Sequence, residues 1–218
     1  MFYLYLSMAK TDTGKKQDKQ NAEKRILEVA AEVFTKKGYS ATRTRDIAEA
    51  SGYNVALIHY YFGSKDKLFE LVATNTLRNF DQIMDQIFLV ELPLHEKIRI
   101  FAEQYIEFFR ANPYLPMFIV TESEKNPDKI ADIVQYRKNN VIMEKQLKEL
   151  AEKGVIRPIS IANFIMNLVS LTVFPFISKN LLMREVDLNE QEFQEMLEER
   201  KKLIPQLLIN HLYLKSPV

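Results

Sequence analysis

The chain has 218 residues, 47% of them apolar, which is enough for a substantial core in one large or two small domains. Its 30 basic and 29 acidic residues nearly cancel, so total charge points to no class of partner. The absence of cysteine excludes disulfides and thiolate metal sites and fits a reducing compartment.

The opening "MFYLYLS" is apolar but far too short to span a bilayer, and it lacks the basic region and cleavage site of a signal peptide. Met8 opens "MAKTDTGKKQDKQ", which reads as a soluble N-terminus and makes Met8 a candidate start. Residues 1–20 are expected to be a flexible tail. Lys10, Lys15, Lys16 and Lys19 within it suit either an arm on a nucleic-acid backbone or a solvated leader. Charge divides unevenly beyond this point. Residues 1–68 hold 12 Lys and Arg against 8 Asp and Glu, whereas residues 69–218 hold 18 against 21. A basic front on an acidic back suits an N-terminal unit that faces a polyanion.

Residues 21–37 place Ile26, Leu27, Ala30, Ala31 and Phe34 on one helical stripe, ended by Gly38. A short helix follows, with Thr44 as its expected cap and Asp46 near its positive end, and Gly52 stops it. A second short helix spans about Val55 to Phe62 and breaks at Gly63. Ser64 then caps a longer helix carrying Leu68, Phe69, Leu71 and Val72. Farther on, Ile98, Phe101, Tyr105 and Phe108 recur at helical spacing between Pro93 and Ala111. The run Asn126-Pro127-Asp128 reads as the start of a long helix that reaches Gly154. Residues 160–183 are strongly apolar but interrupted by Asn163, Asn167, Ser170 and Thr172, and Pro175 is expected to kink or end their helix. This is too polar and too broken for a membrane span. A last helix, about Asn189 to Leu214, must bend or split at Pro205. The chain therefore reads as all-α, with about nine helices.

Ala48, Gly52 and Ile58 give the two short helices a specific relation. A small side chain allows close crossing, a glycine makes the turn, and an aliphatic side chain anchors the second helix on the first. That is the helix-turn-helix pattern, whose second helix enters the DNA major groove. The four rings His59, Tyr60, Tyr61 and Phe62 then acquire a reason. Tyrosine hydroxyls, Ser64 and Lys65 at a helix start are phosphate ligands, whereas Phe62 is expected to pack inward.

Residues 22–72, "AEKRILEVAAEVFTKKGYSATRTRDIAEASGYNVALIHYYFGSKDKLFELV", resemble the tetracycline-repressor (TetR) family of bacterial regulators. The resemblance rests on "FTKKGY", on the Thr44–Gly52 core and on "YYFGSKDKL", in the family's order. It departs at His59, where the family often has Tyr. The resemblance implies a cytoplasmic homodimer that binds a palindromic operator. Its reader would span residues 21–68, and residues 69–218 would form a helical ligand-binding and dimerisation domain.

Candidate DNA contacts follow from the motif and the resemblance together. Thr44 and Arg45 open the first short helix, and Arg45 reaches a base edge or phosphate by the resemblance. Asn54, Val55, Ala56 and Leu57 open the recognition helix, where the apolar three can touch thymine methyls. His59, Tyr60, Tyr61, Ser64 and Lys65 are phosphate candidates. For an unknown small apolar or aromatic effector, the candidate lining is Phe101, Tyr105, Phe108, Phe118 and Phe174, with Tyr136, Arg137 and Asn167 as orienting polar groups. The two C-terminal helices are expected to pair the subunits. No cofactor or metal is implied: His59, His95 and His211 lack metal spacing, and no phosphate-binding glycine loop or nucleophile elbow occurs. The alternative, a helical scaffold without DNA binding, explains the long helices but not the basic unit with this turn.

Overall fold

The computed structural model describes residues 21–125, 127, 128, 131 and 136–215, without the side chains of 82–86 and 136–139. The tail 1–20, with Met8 and its lysines, lies outside the described residues, as do Asn126 and the side chains of Tyr136 and Arg137. The described elements are α-helices, joined by a single isolated β-bridge between Ile156 and Tyr213. We label them α1 (21–37), α2 (Thr44–Ser51), α3 (Val55–Phe62), α4 (Lys65–Leu89), α5 (Leu94–Ala111) and α6 (Leu115–Lys125). There follow α7 (Tyr136–Glu152), α8 (Ile161–Ile177), α9 (Lys179–Glu185) and α10 (Glu190–Leu212). Two compact units result, Met1–Thr76 and Leu77–Val218, and their boundary falls within α4.

In the first unit, α1 buries Ala22, Ile26, Val29, Ala30, Val33 and Phe34, a stripe at spacings of three and four. Ile47 and Ala48 of α2, Ile58 and Phe62 of α3, and Leu68, Val72 and Ala73 of α4 complete the core. Phe69 sets its ring against Phe34 at 5.0 Å and Tyr39 at 4.6 Å. Thr42, 1% exposed, donates its hydroxyl to Gly38 O and holds the α1–α2 turn. The cap of α2 differs from expectation. Arg43 is the N-cap, and the Asp46 carboxylate accepts its N–H at 2.7 Å, so Thr44 lies inside the first turn. Asp46 also pairs with Lys37 at 2.9 Å. The Arg43 amide and Lys37 together hold its carboxyl below the usual carboxylate range.

The second unit packs α5 chiefly on α10 and α8. Its core holds Ile98, Phe101, Tyr105, Ile106 and Phe109 of α5, Phe164 and Leu168 of α8, and Phe193, Leu197, Ile204 and Leu208 of α10. Helix α6 was not among the helices expected from the sequence. Pro116 is the second residue of that helix, where no amide hydrogen is needed.

Neither proline interrupts its helix. Helix α8 continues through Pro175 and turns by 70° only at Ser178, where α9 begins. A proline at 175 leaves the carbonyl four residues back, that of Leu171, without its helical donor. Arg200 Nη2 of α10 donates to that oxygen at 2.7 Å, so a neighbouring helix repairs the gap. Helix α10 likewise runs unsplit through Pro205. Among the described residues no single helix is long and apolar enough to cross a membrane, although the bent α8–α9 pair passes on length and composition.

Candidate functional site

Helix α3 is short because its ends are chemically fixed. Asn54 caps it, accepting the Leu57 N–H on Oδ1 at 2.8 Å. Gly63 ends it at φ 74° and ψ −63°, and Ser64 N–H bonds Phe62 O across it at 2.9 Å. That is a γ-turn with positive φ at its centre, a strained shape that only glycine adopts readily. Ile58 and Phe62 point into the core at 2% and 4% exposure. At 100° per residue, Ala56 and Tyr60 then point directly away from it, flanked by His59 and Leu57. Tyr60 is accordingly 70% exposed, and its ring meets Tyr61 edge-on at 5.3 Å.

The sequence candidates fall into two groups. Arg45, Asn54, Ala56, His59 and Tyr60 are exposed, whereas Thr44, Val55, Leu57, Tyr61, Ser64 and Lys65 are half-buried. Arg45 has only a loose pairing with Glu49 at 3.8 Å, both side chains largely in solvent, and so is held weakly. His59 Nδ1 lies 2.8 Å from Gly63 O; a carbonyl only accepts, so that nitrogen carries the proton. His59 Nε2 therefore donates to a phosphate only when the ring is cationic.

Lys65 is the main departure. A free phosphate ligand was expected, but Nζ is turned inward. It donates to Tyr39 O at 3.1 Å and Thr42 O at 3.0 Å and sits 4.1 Å from the Tyr39 ring centroid. Two of its three hydrogens are thereby occupied, leaving one for any phosphate. The Ser64 hydroxyl likewise accepts from Lys67 N–H at 3.2 Å as a helix cap. Sequence reasoning passed over Arg43 and Lys67, both exposed, at the starts of α2 and α4. Basic residues in the first turns of helices flanking α3 were the available signal.

In the second unit, a cavity of about 30 Å³ lies among α4, α5, α7 and α8. Its walls include Phe88, Phe101, Tyr105, Met143, Phe164 and Leu168, and Asn140 adds an amide. Of the expected lining, Phe101 and Tyr105 are present, with their rings stacked at 3.9 Å. Phe108 instead stacks on Phe80 at 3.8 Å, Phe118 is buried in α6, Asn167 is half-buried away from the cavity, and Phe174 is 58% exposed. Met143, Phe164 and Leu168 were visible only as apolar periodicity, which does not separate a cavity wall from solid core. An open groove of about 620 Å³ between α5 and α10 is lined by Arg99, Glu103, Lys202 and Gln206 among others. Among the described residues no group of acidic or imidazole side chains is placed to hold a metal.

These features are those of a helix-turn-helix transcriptional regulator. Residues 26–72 match the profile of the bacterial regulatory proteins of the tetR family. Over this segment, about a fifth of its length, the chain is similar to that family. It is similar to YhgD of Bacillus subtilis strain 168, an uncharacterized HTH-type transcriptional regulator, at 23% identity over 138 residues, 62% of this chain and 72% of that one. It is also similar to the HTH-type transcriptional repressor NicS of Pseudomonas putida, at 29% over 98 residues, 45% of this chain and 46% of that one. Among solved structures, the fold is shared with a Saccharomonospora viridis protein in complex with choline. There the TM-score is 0.70 and the identity 19%, over 90% of this chain and 100% of that one.

Proposed function

We propose that the protein is a homodimeric repressor that places α3 in the major groove of a palindromic operator and is released by a small apolar ligand. The observation that carries the reading is the outward face of α3. Ala56, Tyr60 and His59 stand opposite the buried Ile58 and Phe62, and Arg45 of α2 is exposed as well. Such a face offers methyl, hydroxyl and cationic groups to base edges and phosphates while the core stays closed. NicS, a repressor by name, supports the sign of regulation.

Dimerisation is supported by apolar stripes that a monomer leaves in water. On α8, Ala162, Met166, Ser170 and Phe174 recur every four residues and are exposed; on α10, Leu203 and Leu207 are 43% and 50% exposed. Pairing these helices across a two-fold axis forms a four-helix interface. Leu168 of α8, by contrast, is 2% exposed and belongs to the core.

The apolar cavity supports an effector site. At about 30 Å³ it holds no more than a water-sized guest, whereas ligand pockets occupy roughly 300–1,000 Å³. A ligand therefore favours an expanded state. If that state holds the readers at the wrong spacing, the ligand weakens operator binding by typically ~1–3 kcal/mol, and DNA weakens the ligand equally. A cytoplasmic location follows from this role.

Selection of bound genomic fragments followed by footprinting tests the reading. An inverted repeat with half-sites about 34–36 Å apart, or a multiple of that, is expected. Arg45→Ala should alter base preference at one position per half-site. Absence of any selected sequence would return the chain to the helical scaffold reading.

A further inference from the structure

Lys97 lies on α5 at 4% exposure, and burial pushes its ammonium below the usual lysine range. It donates to Phe88 O at 3.0 Å and to Gln146 Oε1 at 3.1 Å, and Gln146 Nε2 donates in turn to Leu92 O at 3.2 Å. Both acceptors of the ammonium are neutral, and among the described residues no carboxylate pairs with it. Capping the C-terminal carbonyls of α4 is one use for this group, but a neutral donor would serve that without burying a charge. The charge is surplus to the packing.

Its position gives the surplus a use. Phe88, whose carbonyl takes the ammonium, also walls the cavity. Phe101 stands one turn along α5 from Lys97, and Met143 one turn along α7 from Gln146; both are cavity walls too. Lys97 and Gln146 are thus each one helical turn from a residue that walls the cavity, and the ammonium bonds the carbonyl of a third. No acidic side chain lines the cavity.

Resting on the reading of this cavity as the effector site, we infer that its ligand is an apolar-tailed carboxylate whose head group is received by Lys97. The carboxylate takes the place of Gln146 Oε1 on the ammonium. Gln146 carries both a carbonyl and an amide NH2, so it turns to donate to the second carboxylate oxygen. The tail lies along Phe101, Tyr105, Phe164 and Leu168. A quaternary ammonium, which the aromatic walls alone would accommodate, meets like charge here instead.

Calorimetric titration of the full-length protein with octanoate, octanol and octyltrimethylammonium separates the possibilities. Octanoate should bind the wild type about tenfold or more tightly than octanol, and Lys97→Met or Lys97→Gln should erase that preference while leaving octanol binding in place. Equal binding of octanoate and octanol to the wild type overturns the head-group assignment and leaves the cavity reading intact. Preferential binding of octyltrimethylammonium does the same, as does a variant that keeps the octanoate preference. Failure of all three to bind removes the cavity reading and this inference with it. The wild-type comparison stands even if neither variant folds.

Discussion

Two residues in the reader show how much depends on single backbone and side-chain requirements. Gly63 sits at φ 74°, ψ −63° with open space where a Cβ would go, its nearest neighbour being Lys67 Cδ at 3.7 Å. The demand is therefore on backbone strain and not on room. Gly63→Ala should cost about 1–3 kcal/mol, read as a lower midpoint in urea. Unchanged stability would mean that the turn relaxes to another shape. Lys65 ties the 39–42 turn to the start of α4. Removing a charged donor from two carbonyls costs about 1.5–3 kcal/mol, so Lys65→Ala should destabilise the protein. On the proposed reading its remaining hydrogen is left for a phosphate, and the salt slope of operator binding should then fall by about one unit. A stability loss with an unchanged slope would assign Lys65 wholly to the fold.

At the scale of elements, α8 and α10 depend on each other through one hydrogen bond. Arg200→Met strands Leu171 O, the carbonyl that Pro175 deprives of its donor, and should cost about 1–3 kcal/mol. In a Pro175→Ala background the alanine N–H can supply that oxygen, so the same substitution should cost less. Equal costs in the two backgrounds, measured as a double-mutant cycle, would separate the arginine from the proline. The α5–α10 seam also carries a cluster of ion pairs at its edge, Glu107 and Glu198 with Arg110 and Lys201. Burial acts to raise the Glu107 carboxyl, but hydrogen bonds from Lys201 and Arg110 outweigh it and hold the carboxyl below the usual glutamate range. Hydrogen bonds from the same two cations lower Glu198. A carboxylate whose folded pKa lies below its unfolded value, 4.5 here, binds fewer protons when folded. Its contribution is complete above that value and is lost as pH falls through the folded one. Stability should therefore decline below about pH 4.5, and Glu107→Gln should flatten that decline. An unchanged acid profile in the variant would take the seam out of the acid response.

For the whole molecule, the proposed dimer is what would let two readers act together. Leu207→Glu and Phe174→Glu place charges on the exposed stripes and should yield folded monomers with intact helicity and no cooperative operator binding. Leu168→Glu, with its side chain in the core, should instead unfold the second unit, since an unpaired buried charge is among the costliest changes. Sedimentation and circular dichroism together distinguish the two results. Wild-type protein that sediments as a monomer at micromolar concentration would defeat the dimer reading.

The helix-turn-helix was legible in the sequence because its requirements are local. Ala48, Gly52, Ile58 and Gly63 are demanded within a few residues of where they stand, and the inward turn of Phe62 follows from the same periodicity. Helix-forming stripes in the second unit were legible for the same reason, and the match to the tetR-family profile falls on the local motif, residues 26–72. What sequence left open was settled between segments distant along the chain. Lys65 reaches back 26 residues to the Tyr39 carbonyl, and Arg200 reaches Leu171 across 29 residues to make Pro175 tolerable inside a helix. Leu168 and Leu207 have the same apolar character, yet one is core and the other surface, because periodicity gives a face and only packing says what the face meets. In the sequence, nothing sets Lys97 apart from the other lysines. Only the tertiary structure puts its charge in an apolar interior beside a cavity, where the low dielectric gives it consequence.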